Sequence, residues 1–423
     1  MSLSTPPRPL KLLVFAHTPP PHHGQSYMVQ LMLEGLGGDA RRMPRIKTCC
    51  DVPPAGDAAR GVECHHVDAR LSDDLQDLGS VRAGKVTRLL GYCRQAWAAR
   101  LRRGVRTFYY VPSPPKRASL YRDWLVMLLC RPAFRHRVFH WHAVGLGDWL
   151  ETHARPWERW VSHRLLGGID LAIVLSEFNR PDAERFRPRR VAVVANGIPD
   201  PCPDFAQRLA PRRRERAETR RQYVAGQRGA DEPETTEVRV LYLAHCTRDK
   251  GLFDAVEGVR LANTELKQRR MPLRFTLTVG GKFLNATEEQ SFAPRRKAGE
   301  DEGWLRMTGF LSGEAKSRAF EEADLFCFPT WYANEGQPVN VIEAMAYGLP
   351  VVTTRWRSIP EMLPSGYAGL IEPKHPPQVA AALITLLEAD GQTLRDEFLA
   401  RFTLARHLDA LAAALHLVEG DSS

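Results

Sequence analysis

The chain has 423 residues, more than one hydrophobic core usually supports, so two domains are expected. Its 43% hydrophobic content is ordinary for a globular protein, and no apolar run reaches the roughly 20 residues of a membrane span. A formal charge of +10 points to an anionic partner: nucleic acid, an acidic membrane surface or phosphorylated small molecules.

The opening MSLSTPPRPLKLLVFAH lacks a charged segment followed by a long apolar stretch and a small-residue cleavage site, so a cytoplasmic protein is expected. A first strand is predicted at LKLLVFA from Leu10, followed by a loop containing Gly24. A basic helix follows over RQAWAARLRRGVR, Arg94 to Arg106. The apolar run from Trp124 to Cys130, bounded by Asp123 and by Arg131 with Pro132, reads as a core helix segment. Further strands are predicted at VRTFYYV, RVFHWHA, LAIVLS and RVAVVA, from Val105, Arg137, Leu171 and Arg190. Strands alternating with helical patterns imply a parallel sheet covered by helices. Asn196 and Gly197 lie near an expected hinge. From about Pro201 to Glu237 the chain is rich in Arg, Glu, Ala and Pro and poor in large apolar residues, which reads as a linker or surface insertion over 201–236.

The second half repeats the alternation, with strands at VRVLYLA, LRFTLTV, DLFCFP and PVVTT. Domains are therefore expected at 1–200 and 237–400, and the helix-patterned segment within 401–423 is expected to pack back on the first. Eight cysteines show no repeated spacing, and Cys130 and Cys327 fall in strand-like apolar runs, so reduced, buried thiols are expected.

The stretch ADLFCFPTWYANEGQPVNVIEAMAYGLPVVTT reads as strand, loop, helix, strand. Its first strand is apolar without alternation, as for one buried on both faces. Pro338 suits the first helical position, and Gly348 with Pro350 ends the helix. A helix N-terminus at the carboxyl edge of an α/β sheet is a ligand position, and the amides of Val339 and Asn340 would favour an anion there. The dipole contributes ~0.3 to 2 kcal/mol and a hydrogen bond to a charged group ~1.5 to 3. Micromolar binding needs about 8, so further contacts are required. Lys250 in LAHCTRDKG, at a strand end before Gly251, supplies one, with Arg248 as a weaker candidate. Taken alone, Lys250 reads more readily as an exposed lysine at a helix start. Glu335 and Glu343 are placed to accept hydrogen bonds from sugar hydroxyls on either side of the phosphates.

In the order and spacing of these blocks the chain resembles glycosyltransferase family 4, retaining enzymes of the GT-B fold. KLLVFAHTPPPHHGQS is similar to the family's first strand and glycine loop, VAVVANGIPD to its end-of-domain turn, and LAHCTRDKG to its phosphate-lysine loop. TGFLSGEAKSRAFEEADLFCFPT and the two glutamates complete the order. The resemblance implies two doubly wound Rossmann-like domains facing across a cleft. Its implied donor-binding set is Gly24, Arg248, Lys250, Phe310, Leu311, Glu335, Gly336, Gln337, Val339, Asn340 and Glu343. Within that set Glu343 holds the ribose, Glu335 the transferred sugar, Lys250 the diphosphate, and Phe310 with Leu311 the base. The catalytic set is Glu335, His142 and Lys250, with His140 the competing assignment for His142. Two positions depart from the family: Ala244 and His245 stand where many members have Gly-Arg, and Pro338 where a glycine is common.

The resemblance thus implies transfer of a sugar from a UDP- or GDP-linked donor to a hydroxyl acceptor, a glycan or lipid-linked oligosaccharide, with retention and without a metal. Trp97 with the arginines of its helix and LYRDWLVMLL nearby suggest peripheral attachment to an anionic membrane. Two other readings are open: a GT-B nucleotide-sugar epimerase, which shares the architecture the resemblance implies, and a basic nucleic-acid binder, for which no reading module is recognisable.

Overall fold

The computed structural model describes residues 9–20, 24–38, 60–70, 83–227, 229 and 233–418. Backbone proximity groups the described residues into two units, one running to Pro199 and resuming at Phe402, the other spanning Asp200 to Arg401.

The first unit holds a six-stranded parallel sheet. Its strands are β1 (Leu10–Ala16), β2 (Val62–Asp68), β3 (Thr107–Tyr110), β4 (His136–Trp141), β5 (Leu171–Val174) and β6 (Arg190–Val193), in the order β2-β1-β3-β4-β5-β6. The central strands β3 and β5 are buried along their whole length, which is why their sequences, TFYY and LAIV, do not alternate. Around them lie α1 (Gly24–Leu36), α2 (Ala83–Arg103), α3 (Arg117–Cys130), α4 (Leu146–Thr152), α5 (Pro156–Leu166) and α6 (Arg180–Glu184). Phe108, Tyr110 and Phe139 from the sheet meet Leu120, Val126 and Met127 of α3 in one core.

In the second unit β7 (Thr236–Leu243), β8 (Leu273–Gly280), β9 (Leu305–Gly309), β10 (Leu325–Phe328), β11 (Val351–Thr354) and β12 (Leu370–Ile371) form another parallel sheet, ordered β12-β11-β10-β7-β8-β9. The chain leaves β7 outward through β8 and β9, then returns to start β10 on the other side of β7. That reversal is the topological switch point, outside whose carboxyl ends ligands of such sheets bind. Its helices are α7 (Ala210–Val224), α8 (Leu252–Gln268), α9 (Ala286–Asp301), α10 (Gly313–Glu322), α11 (Val339–Ala346), α12 (Pro376–Thr385) and α13 (Gln392–Arg401).

The last helix, α14 (Leu404–His416), groups with the first unit. Leu404, Leu408, Leu411 and Leu415 line its buried stripe. Gly35 of α1 lets the two helices approach, since a Cβ there would stand 2.2 Å from a methyl of Leu408. Both backbone groups of Ile198 fix the return: its N–H donates to Phe402 O at 2.9 Å and its carbonyl accepts from Leu404 N–H at 2.7 Å.

Three expectations need correction. The segment read as a linker over 201–236 contains α7, a helix of the second unit. Its anchors are chiefly guanidinium groups, with Tyr223 also buried. Arg213 donates to the carbonyls of Gly348 (2.9 Å) and Phe320 (3.1 Å), near the C-terminal ends of α11 and α10, where a cation is favoured. Arg216 and Arg220 both pair with buried Asp324, at 2.9 and 3.2 Å. Pro338 caps α11 from outside instead of occupying its first turn. Cys130 closes a helix, α3, as the helix reading of Trp124 to Cys130 expects, and does not lie in a strand-like run. Among the described residues, no helix is long and apolar enough to cross a membrane.

Candidate active site

At the switch point the loops after β7 and β10 run against each other. Gly251 has φ of 82°, and a Cβ on it would lie 2.2 Å from the carbonyl oxygen of Pro329, so this contact requires glycine. Tyr242, buried at the end of β7, donates its hydroxyl to the carbonyls of His245 (3.0 Å) and Lys250 (3.2 Å), fixing the loop that carries the lysine. Burial holds that phenol's pKa well above its usual value, so it remains a donor. From the other side, Trp331 N–H donates to Asp249 O at 2.8 Å.

These contacts bring Lys250 and Glu335 together. The ammonium lies 2.7 Å from Glu335 Oε2, which also accepts from the Thr330 hydroxyl at 3.0 Å. The Tyr332 ring centre is 4.4 Å from the same ammonium. A lysine has three N–H donors, and the carboxylate engages one of them. Ser358 Oγ donates to Gly336 O at 2.8 Å, steadying the turn into α11.

The first turn of α11 follows directly. Val341 and Ile342 both donate their amides to Pro338 O, which leaves Val339 and Asn340 ahead of any helical carbonyl. The Asn340 side chain donates to Leu243 O at 2.8 Å, tying this helix start to the end of β7. One turn on, Glu343 pairs with Lys316 of α10 at 2.5 Å. Gln337, in the turn, is buried.

The remaining predicted donor residues are arranged less closely. Arg248 turns to α9 and α8: its guanidinium donates to Ser291 Oγ at 3.1 Å and lies 4.0 Å from the centre of the Phe253 ring. It is not brought to the Lys250–Glu335 pair. Phe310 and Leu311 follow the carboxyl end of β9; Phe310 is 51% exposed, and Leu311 packs where a Cβ on Gly280 would be 2.9 Å from its methyl.

Gly24 and His142 belong to the first unit, at the carboxyl ends of β1 and β4. Gly24 opens α1. His140 is buried and shares a 2.5 Å hydrogen bond with the Tyr109 hydroxyl, while the half-buried His142 ring lies 4.1 Å from it. Burial, reinforced by His142 and His407, pushes the His140 pKa well below the usual imidazole value, so His140 is neutral near pH 7. His407 of α14 stacks beyond it at 6.5 Å and hydrogen bonds through Nδ1 to Ala195 O at 2.7 Å. Burial takes its pKa down to about 4.

Sequence reasoning missed Thr330, Tyr332, Lys316, Tyr109 and His407. Each enters through a contact distant in sequence or buried in a loop, and periodicity carries no signal for such pairings. Among the described residues, no group of three or more His, Cys, Asp or Glu side chains is arranged to hold a metal ion.

Residues 237–389 match the family described as Glycosyl transferases group 1. The amylovoran biosynthesis glycosyltransferase AmsK of Erwinia amylovora is 34% identical over 160 residues, 36% of this chain and 37% of that protein. The chain therefore spans little more than a third of that relative's length. O-antigen chain mannosyltransferase B of Escherichia coli is 23% identical over 301 residues, 67% of this chain and 71% of that protein. Among solved structures, Anabaena HepE in complex with UDP-glucose has a TM-score of 0.61 at 14% identity, covering 96% of this chain and 99% of that one. Sucrose-phosphate synthase from Thermosynechococcus elongatus has a TM-score of 0.63 at 17% identity, covering 97% and 100%. These likenesses show the fold: two Rossmann-like parallel sheets of the GT-B type, as the sequence led us to expect.

Proposed function

We propose that this chain, whose second unit carries a Glycosyl transferases group 1 domain on a GT-B fold, is a retaining glycosyltransferase using a nucleotide-diphosphate sugar. One observation carries the reading: Lys250 and Glu335 meet, 2.7 Å apart, at the switch point of the second sheet, beside the first turn of α11. A cation, free amides and a carboxylate at that point fit a diphosphate with a sugar attached.

In this mechanism cleavage of the sugar–phosphate bond leaves negative charge on the diphosphate and positive charge on the sugar. Lys250 and the amides of Val339 and Asn340 stabilise the leaving group without reorganising. Glu335 grips the transferred sugar's hydroxyls and Glu343 the ribose. The family resemblance supports passing the acceptor's proton to the departing phosphate, so that no side-chain base is needed.

The donor class is a UDP- or GDP-linked hexose. HepE was solved with UDP-glucose, and relatives named for amylovoran and O-antigen synthesis support a glycan or lipid-linked acceptor. A lipid-linked acceptor would place the reaction at a membrane face, and the net charge suits an anionic one. No metal takes part, so chelation with EDTA is expected to leave turnover unchanged.

Thermal-shift screening against UDP- and GDP-sugars tests the reading, because a ligand that binds only the folded state raises its midpoint. A shift with a member of the panel that is lost in Lys250→Ala is expected; no shift with any member would overturn the assignment.

A further inference from the structure

We infer that α2, α3 and α5 of the first unit form one docking surface for an anionic lipid bilayer. Most of the exposed large apolar side chains of this unit lie on these three helices. On α2, Leu89, Cys93 and Ala96 point into the core, while Val86, Leu90, Trp97 and Leu101 repeat at helical spacing along a neighbouring, exposed stripe. Trp97 Nε1 donates to Leu129 O at 2.9 Å, which sets this stripe beside the C-terminal half of α3. There Leu128 is exposed, and one stripe position back, two turns away, stands Tyr121. Tyr121 stacks on Trp157 of α5 at 6.2 Å, and Trp160 follows one turn later. The chain of contacts makes these residues neighbours across three helices.

The charge around them is one-sided. α2 carries Lys85, Arg88, Arg94, Arg100, Arg102 and Arg103 and no acid. The two acids of α3 and α5, Asp123 and Glu158, are both buried and already bonded, Asp123 to the Tyr110 hydroxyl and Glu158 to the Arg155 amide. Arg94 of α2 and Arg164 of α5, both exposed, flank the indole and aliphatic groups, and this matches the interface of an anionic bilayer: rings enter at headgroup depth and cations pair with phosphates. A soluble polyanion would engage the arginines but would gain nothing from Leu101, Leu128 and Trp160, which are 74%, 61% and 70% exposed.

This surface serves the lipid-linked acceptor proposed above, yet it is tested apart from donor binding. The full chain is floated with vesicles of phosphatidylcholine alone and of phosphatidylcholine with phosphatidylglycerol. Recovery with the anionic vesicles only is expected, falling about tenfold or more between ~0.05 and ~0.5 M salt. Two variants, L101S/L128S/W160S and R94E/R164E, are each expected to lose about tenfold of the bound fraction. Both should keep the wild-type melting midpoint and donor shift, which separates this surface from the donor reading. Three results would overturn the proposal: an unbound wild type with anionic vesicles, flotation of the apolar variant equal to wild type, or loss of a vesicle-free dimer in that variant, which would assign the patch to a second copy.

Discussion

The carboxyl edges of the two sheets differ in chemistry. In the second unit the edge is built from charges held in pairs, Lys250 with Glu335 and Lys316 with Glu343. In the first, the edge at β4 is built from rings, neutral His140 bonded to Tyr109 with neutral His407 and the His142 ring against it. A lysine with donors to spare can take up a diphosphate while keeping its carboxylate, so no buried ion is left alone. Neutral imidazoles can donate or accept from sugar hydroxyls without attracting an anion. The contrast suggests that donor charge is recognised in one unit and uncharged groups in the other.

The strongest way to break this contrast is Lys250→Ala. Losing a charge-assisted contact to the leaving group should lower turnover about 10² to 10³-fold and weaken donor binding by about 1.5 to 3 kcal/mol, read by steady-state kinetics and calorimetry. A variant with wild-type turnover would remove the lysine from the chemistry. Glu335→Gln sharpens the same point. It should cut turnover about 100-fold while binding of plain UDP or GDP stays within about threefold. If nucleotide binding instead falls as far as in Lys250→Ala, the acid serves the phosphate site and not the sugar.

The neutral edge makes a prediction about pH. The His407 pKa falls from an ordinary 6.5 to about 4 on folding, so between those values the unfolded chain binds a proton that the folded chain refuses. Stability is therefore full above about pH 6.5 and is lost as pH falls toward 4. Denaturant unfolding at pH 7 and pH 5 should differ by about 2 kcal/mol from this residue, and His140 adds in the same direction. His407→Leu should flatten the profile. An unchanged slope would show that the cluster opens to water before it titrates. The smallest effect is expected from Asn340→Ala, which removes the tie between α11 and Leu243. About 1 kcal/mol of donor affinity should go, with the fold intact by circular dichroism.

Much of this arrangement was legible in the sequence because its signals are local. LFCF reads as a strand buried on both faces, Gly348 as a helix stop, and the NEGQPVN turn as a helix start beneath a sheet edge. What stayed hidden depends on partners far along the chain. α7 lacks an apolar stripe because Arg213, Arg216 and Arg220 hold it through carbonyls and Asp324, about 100 residues or more away in sequence. VECHHVD hides β2 by mixing polar residues into an outer strand, and β12 is too short to carry a period. Arg248 sits in the right motif, yet the Phe253 ring and Ser291 draw it away from Lys250.

A crystal structure of the chain with the nucleotide sugar that gives the largest thermal shift tests the central claim most directly. The diphosphate should lie within hydrogen-bond distance of Lys250 Nζ and the Val339 and Asn340 amides, with the sugar against Glu335 and the ribose against Glu343. Phosphates bound elsewhere, with the Lys250–Glu335 pair undisturbed and out of reach of the ligand, would contradict it.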